Sequence, residues 1–77
     1  MNATERLARA RHVHNVALGD ITRLEREMKL EWRRHEMRRV ATLDGWNVLA
    51  AQYDRARVVE YWADQAIMRA EDDARKA

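Results

Sequence analysis

Apolar residues recur at steps of three and four along the first half of the chain. The resulting stripe consists of Leu7, Ala10, His14, Ala17, Ile21, Leu24, Met28, Trp32 and His35. This spacing keeps side chains on one face of an α-helix, and it predicts a helix over about residues 3–42. Asn2 and Glu5 have the spacing of a capping box at its start.

Gly19-Asp20 interrupts this stripe and leaves two interpretations open. Glycine can end one helix and aspartate can cap the next, which would give two shorter helices. The stripe nevertheless continues in phase on both sides, and a helix tolerates an internal glycine at a cost of about 1 kcal/mol. We therefore favour one long helix, with a kink or a break near Gly19 as the alternative.

A chain reversal is predicted over residues 42–45, Thr42-Leu43-Asp44-Gly45, because Asp-Gly favours turns. A second helix is predicted over about 46–75. Its stripe consists of Trp46, Leu49, Tyr53, Ala56, Ala63, Ile67 and Ala70. We therefore predict one all-α domain over 1–77, an antiparallel helical hairpin of two long helices that assembles into a helical bundle.

A turn centred on Asp44 also predicts which residues face each other. Ile21 would face Ile67, Trp32 would face Ala56, and His35 would face Tyr53. In this register Glu60 falls opposite Met28, a poor match, and residues 1–10 have no partner from the second helix. The two halves carry opposite net charges, +4 over 1–42 and −2 over 43–77, which suits halves that pack together.

Composition narrows the possible chemistry. The 77 residues contain no cysteine and no serine, which excludes disulfides, thiolate metal sites and nucleophiles of either type. No apolar run approaches the roughly 20 residues of a membrane span, and we expect a cytoplasmic protein. The net charge of +2 is modest for a nucleic-acid binder.

Apolar residues also lie outside the two stripes. Leu30, Met37 and Ala41 lie on the opposite side of the first helix, and Val58 and Trp62 lie away from the second stripe. Large apolar side chains are costly to leave in water, so we predict a second interface. The predicted partner-binding residues are Leu30, Arg34, Met37, Arg38, Ala41, Val58 and Trp62, and the predicted partner is another protein or a second copy in a homodimer.

A cluster of arginines supports an alternative. Arg33, Arg34, Arg38 and Arg39 lie within seven residues and have the chemistry to hold phosphates. The alternative hypothesis is therefore a nucleic-acid-binding helical-hairpin dimer. We favour a small adaptor or stoichiometric inhibitor, of the kind found among phage and bacterial accessory proteins.

The histidines do not form a metal-ligand pattern. His12 and His14 would point about 200° apart on a helix, and His35 has only Glu31 on its side. A zinc site needs three or four ligands. Glutamates alternate with basic residues as on a solvated helix. We therefore predict no metal, no cofactor, no small-molecule substrate and no enzymatic activity.

Overall fold

The computed structural model describes residues 2–37 and 42–76, which form two long antiparallel helices. Helix α1 spans Ala3–Glu36 and helix α2 spans Asp44–Lys76. The helices pack along their length into a hairpin with Cα extents of 59 × 16 × 14 Å. The predicted all-α helical hairpin is confirmed.

Helix α1 begins at a side-chain cap and runs without a break. The Asn2 Oδ1 atom accepts a hydrogen bond of 2.8 Å from the backbone N–H of Glu5, as the capping-box spacing predicts. The helix continues through Gly19, so the preferred interpretation of one continuous helix is confirmed over Ala3–Glu36.

Gly19 lies in the middle of α1, where a side chain has room. A Cβ atom added there meets no atom within 4 Å. We expect Gly19→Ala to raise the free energy of unfolding by about 0.5–1 kcal/mol, because alanine loses less backbone entropy in a helix. The unfolding midpoint, followed by circular dichroism, should rise by roughly 2–8 °C.

Gly45→Ala is the matched comparison for this experiment. A Cβ atom at Gly45 would lie 2.8 Å from Oε2 of Glu31, whose side chain would have to move. Gly45→Ala should therefore gain less than Gly19→Ala. An equal or larger gain at Gly45 would contradict the packing at this end of the hairpin.

The connection between the helices lies earlier in the chain than predicted. Helix α1 ends at Glu36 instead of residue 42, and Asp44 and Gly45 form the first turn of α2 instead of a reversal. Both boundaries are compatible with the helix dipoles, because basic residues lie in the last turn of α1 and Asp44 lies in the first turn of α2. Residues 38–41 lie outside the described part of the chain.

The two helices meet along a seam with the alternating three- and four-residue spacing of a coiled coil. Its buried members are Ala10, Ala17, Ile21, Leu24, Ala63 and Ala70. Trp46, Leu49, Tyr53, Ala56 and Ile67 are half-buried, so the predicted stripe of α2 lies in the seam throughout. Trp32, predicted to lie in the stripe of α1, is instead 44% exposed at the edge of the seam.

The predicted register is wrong by several residues. Trp32 packs against Trp46 with ring centroids 6.3 Å apart, and the Tyr53 hydroxyl donates to Glu25 at 3.4 Å. The register differs because the connection is centred near residue 40 instead of Asp44. As a result the start of α1 has a partner, and Arg6 binds Asp73 at 3.1 Å.

The shifted register gives Glu60 a partner. Its Oε1 atom lies 3.4 Å from Nε2 of His14, and the two side chains are 24% and 21% exposed. Both residues occupy seam positions, so this pair forms a polar layer within an otherwise largely apolar contact. Met28, the partner expected for Glu60, lies farther along α1, against Trp32 and Trp46 in a separate depression.

Candidate protein-interaction face

The hairpin has two broad sides, and one of them carries six of the twelve large apolar side chains that are exposed in the described part of the chain. We call this side the groove face, because shallow depressions run between the helices along it. Its large exposed apolar residues are Val13, Val16, Leu30, Val48, Val59 and Trp62. Val16 belongs to this face because it lies seven residues from both Arg9 and Arg23, and Leu30 lies seven residues further along α1. Residues at this spacing lie on the same side of a helix.

The open end of the groove face, near the ends of the described helices, holds a depression lined by both helices. Small side chains at Ala10, Ala66 and Ala70 form the floor, and the volume is about 490 Å³. Val13, Val59 and Trp62 extend the apolar lining toward the middle of the hairpin. The depression exists because alanines at seam positions fill less of the space between two helices than leucines would.

Arginines form the rim of this depression. Arg9 and Arg69 line it from α1 and α2, and within the described ranges neither guanidinium lies within 4 Å of a carboxylate. Arg6 lines it as well, but its guanidinium binds Asp73 at 3.1 Å. An apolar floor with unpaired guanidinium groups at its edge is the composition that protein interfaces favour at their centres.

The end of the groove face near the connection carries the opposite combination of features. Leu30 and Val48 lie level with each other across the groove and are 48% and 57% exposed. Glu27, Glu31 and Arg34 lie beside them; Glu27 accepts from Arg23 at 3.4 Å and Glu31 from Arg34 at 2.9 Å. This end therefore presents two large apolar side chains next to a carboxylate.

The structure brings together only part of the predicted partner-binding set. Leu30 and Arg34 line one depression near the connection, and Met37 is 62% exposed at the end of α1. Trp62 lies on the same face but about 21 Å away, fourteen helical residues beyond Val48.

The remaining predicted partner residues are not part of the groove face as described. Val58 lies one turn from Trp62 and is 54% exposed, but it does not line the groove. Arg38 and Ala41 lie outside the described residues, so their predicted roles stay predictions.

The arginine cluster of the alternative hypothesis lies where α1 ends. Arg33 and Arg34 are in the last helical turn, where cations interact favourably with the helix dipole. The Arg34 guanidinium also donates to Oε1 of Glu31 at 2.9 Å. Arg39, like Arg38, belongs to the segment that the structure does not describe.

The histidines lie apart from one another. His14 faces Glu60 in the seam, and His35 packs against the Trp32 ring with centroids 5.9 Å apart instead of meeting Tyr53 or Glu31. Within 2–37 and 42–76, no three histidine or acidic side chains converge as metal ligands would.

Several residues of the groove face are not among the predicted partner-binding residues. Val13, Val48 and Val59 belong to it, as do Arg9 and Arg69. The sequence does indicate this face, because residues seven apart lie on the same side of a helix. On α1 these residues are Arg9, Val16, Arg23 and Leu30, and on α2 they are Val48, Arg55, Trp62 and Arg69. Only the observed register shows that these rows lie side by side.

Neither of the described helices has an apolar stretch sufficient to span a bilayer. Comparison of the chain with protein-family models, curated proteins and solved structures finds no match.

Proposed function

We propose that the protein is a non-enzymatic, cytoplasmic protein-interaction module that acts by packing its groove face against helices of a partner protein. The observation that carries this proposal is the row of six large apolar side chains on one side of the hairpin, each between 38% and 61% exposed. Removing about half of the surface of six such side chains from water contributes roughly 6 kcal/mol to the hydrophobic free energy of association. That amount is comparable with the whole stability of a small domain.

The charged residues support a binding role over a catalytic one. Arg23 binds Glu27 at 3.4 Å and Arg34 binds Glu31 at 2.9 Å, both as exposed pairs within one helix. Such pairs keep a helix surface solvated and contribute little to stability. The same Arg34 contact occupies part of the cluster that a phosphate backbone would need.

Photo-crosslinking at two adjacent aromatic positions tests the proposal. Trp62 is on the groove face, whereas Tyr61 points about 100° away, and the two are 61% and 56% exposed. A p-benzoylphenylalanine at position 62 should form adducts in the producing cells at several times the level seen at position 61. The adducts should be destroyed by protease and resist nuclease.

Two results would overturn this proposal. Equal adduct levels at positions 61 and 62 would mean that the groove face has no special role. Adducts that nuclease destroys would support the nucleic-acid alternative, which a steep loss of binding with salt should then accompany.

A further inference from the structure

The two ends of the groove face complement each other in shape and charge. The open end is a depression floored by alanine and edged by Arg9 and Arg69, neither of which meets a carboxylate among residues 2–37 and 42–76. The connection end presents Leu30 and Val48 beside the carboxylate of Glu27. A surface whose two ends are complementary can bind a second copy of itself that is rotated by 180°, so that each end meets the opposite end of the other copy.

We infer that the partner which covers the groove face is a second copy of this chain, packed antiparallel about a two-fold axis at the level of Val59. This inference rests on the proposed function and names the partner of the same face. The axis crosses the middle of the hairpin, since Val59 lines both the open-end depression and the central one. Each α1 then packs on the other α1, and each α2 on the other α2, in a four-helix bundle.

This arrangement places complementary groups together at both ends of the bundle. On α1, Leu30 of one copy meets the level of Ala10 in the other, and Arg9 meets the level of Glu31, one helical turn from Glu27. Arg34 meets the level of Arg6, and each of these two guanidinium groups is paired within its own copy, Arg34 with Glu31 and Arg6 with Asp73. On α2, Val48 of one copy meets the level of Ala70, next to Arg69. These matches follow from reflecting helical positions through the level of Val59.

The central part of the face is matched as well. Trp62 of one copy reaches the level of Arg55 in the other, where a guanidinium can lie against the indole ring. Val59 meets Val59 of the second copy at the axis. Asp20 lies at the same level on α1, and Arg23 at 3.9 Å offsets the approach of the two Asp20 carboxylates.

Charge also disfavours the parallel arrangement of two copies. A parallel pair would place each α1 on the other copy's α2 at the same level. Arg9 would then meet Arg69, and Arg23 would meet Arg55, because each of these pairs shares a level across the groove. Each arginine pair would occur twice, so like charges would gather at two levels of the bundle.

The size of the face is comparable with that of a standard interface. A side of 59 × 16 Å offers about 900 Å² per copy, close to the roughly 800 Å² that each partner contributes to a standard interface. The described part of the isolated hairpin buries six apolar residues, and four of them are alanine. So small a core gains from a second layer of helices.

Sedimentation of the full chain with matched charge variants tests this inference. We expect a dimer at about 50 µM, with a micromolar dissociation constant. Arg9→Glu with Arg69→Glu should weaken the dimer at least tenfold. Arg26→Glu with Arg57→Glu changes the net charge equally at exposed positions off the groove face, and it should leave the dissociation constant within about twofold.

Adding Glu27→Arg to the weakened variant should restore association in part, because the reversed charges again meet as opposites. The helical content measured by circular dichroism should be the same in every variant. A monomeric chain at high micromolar concentration would overturn the inference, as would equal effects of the two double variants.

Cysteine cross-linking tests the antiparallel orientation, and the chain provides a cysteine-free background. Val59→Cys lies at the proposed axis and should oxidise to a covalent dimer, since a disulfide needs Cα atoms within about 7 Å. Val48→Cys should not, because its two copies would lie about 33 Å apart along the bundle. Efficient cross-linking at position 48 without cross-linking at 59 would overturn the antiparallel arrangement.

The failure of this inference and the failure of the proposed function give different results. A monomer whose position 62 still cross-links to another protein would end the second-copy inference and leave the function in place. Absence of any protein adduct at position 62 would end the proposed function itself.

Discussion

Replacing Leu24 with alanine should remove most of the cooperative thermal unfolding of this chain. Leu24 is 2% exposed and is the largest fully buried side chain in the described structure. Leucine-to-alanine changes in a core cost about 2–5 kcal/mol, since they lose the transfer free energy of the side chain and leave a cavity. Few other residues can compensate, because alanines supply most of the remaining core.

Leu18→Ala is the matched control for this change. Leu18 lies on the same helix but is 42% exposed, so the same chemical change should cost well under 1 kcal/mol. Thermal and urea unfolding followed by circular dichroism at several protein concentrations measures both variants. Equal losses for Leu18→Ala and Leu24→Ala would contradict the seam as described.

The seam could be predicted from the sequence because it depends only on helical periodicity. Steps of three and four place Ile21 and Leu24 on one side of α1, and Ala63 and Ala70 on one side of α2, whatever the helices pack against. Both pairs are buried in the structure. The capping role of Asn2 was also predictable, since it depends on residues three apart.

The register could not be predicted in the same way, since it depends on where the connection lies. Asp44-Gly45 has the composition of a turn, but an aspartate is equally suited to the first turn of a helix. A connection that is placed only a few residues too late changes the expected partner of every residue across the two helices. The wrong register separated Arg9 from Arg69, so the groove face could not be recognised.

Glu60 shows how local and long-range information combine. The three-and-four spacing of α2 assigns residue 60 to the seam, where a carboxylate is unfavourable without a partner. The partner is His14, more than forty residues away in sequence, and only the fold supplies it. Near the connection the contact between the helices is aromatic instead, because the Trp32 ring of α1 packs against the Trp46 ring of α2.

Replacing both His14 and Glu60 with leucine should raise the stability of the hairpin. The pair lies 3.4 Å apart at seam positions that are only about a fifth to a quarter exposed. Replacing such a pair with apolar side chains that pack together is often stabilising, because the desolvation of the polar groups no longer opposes folding. We expect a gain of about 2 kcal/mol and a higher unfolding midpoint.

The single variant His14→Leu should have the opposite effect. It leaves the Glu60 carboxylate in the seam against a leucine, and an unpaired polar group at a largely buried position costs about 1–3 kcal/mol. The comparison of single and double variants in urea unfolding separates the net value of the pair from the cost of breaking it. A lower free energy of unfolding in the double variant would contradict this prediction. It would show that the contact between His14 and Glu60 stabilises the hairpin more than two packed leucines do.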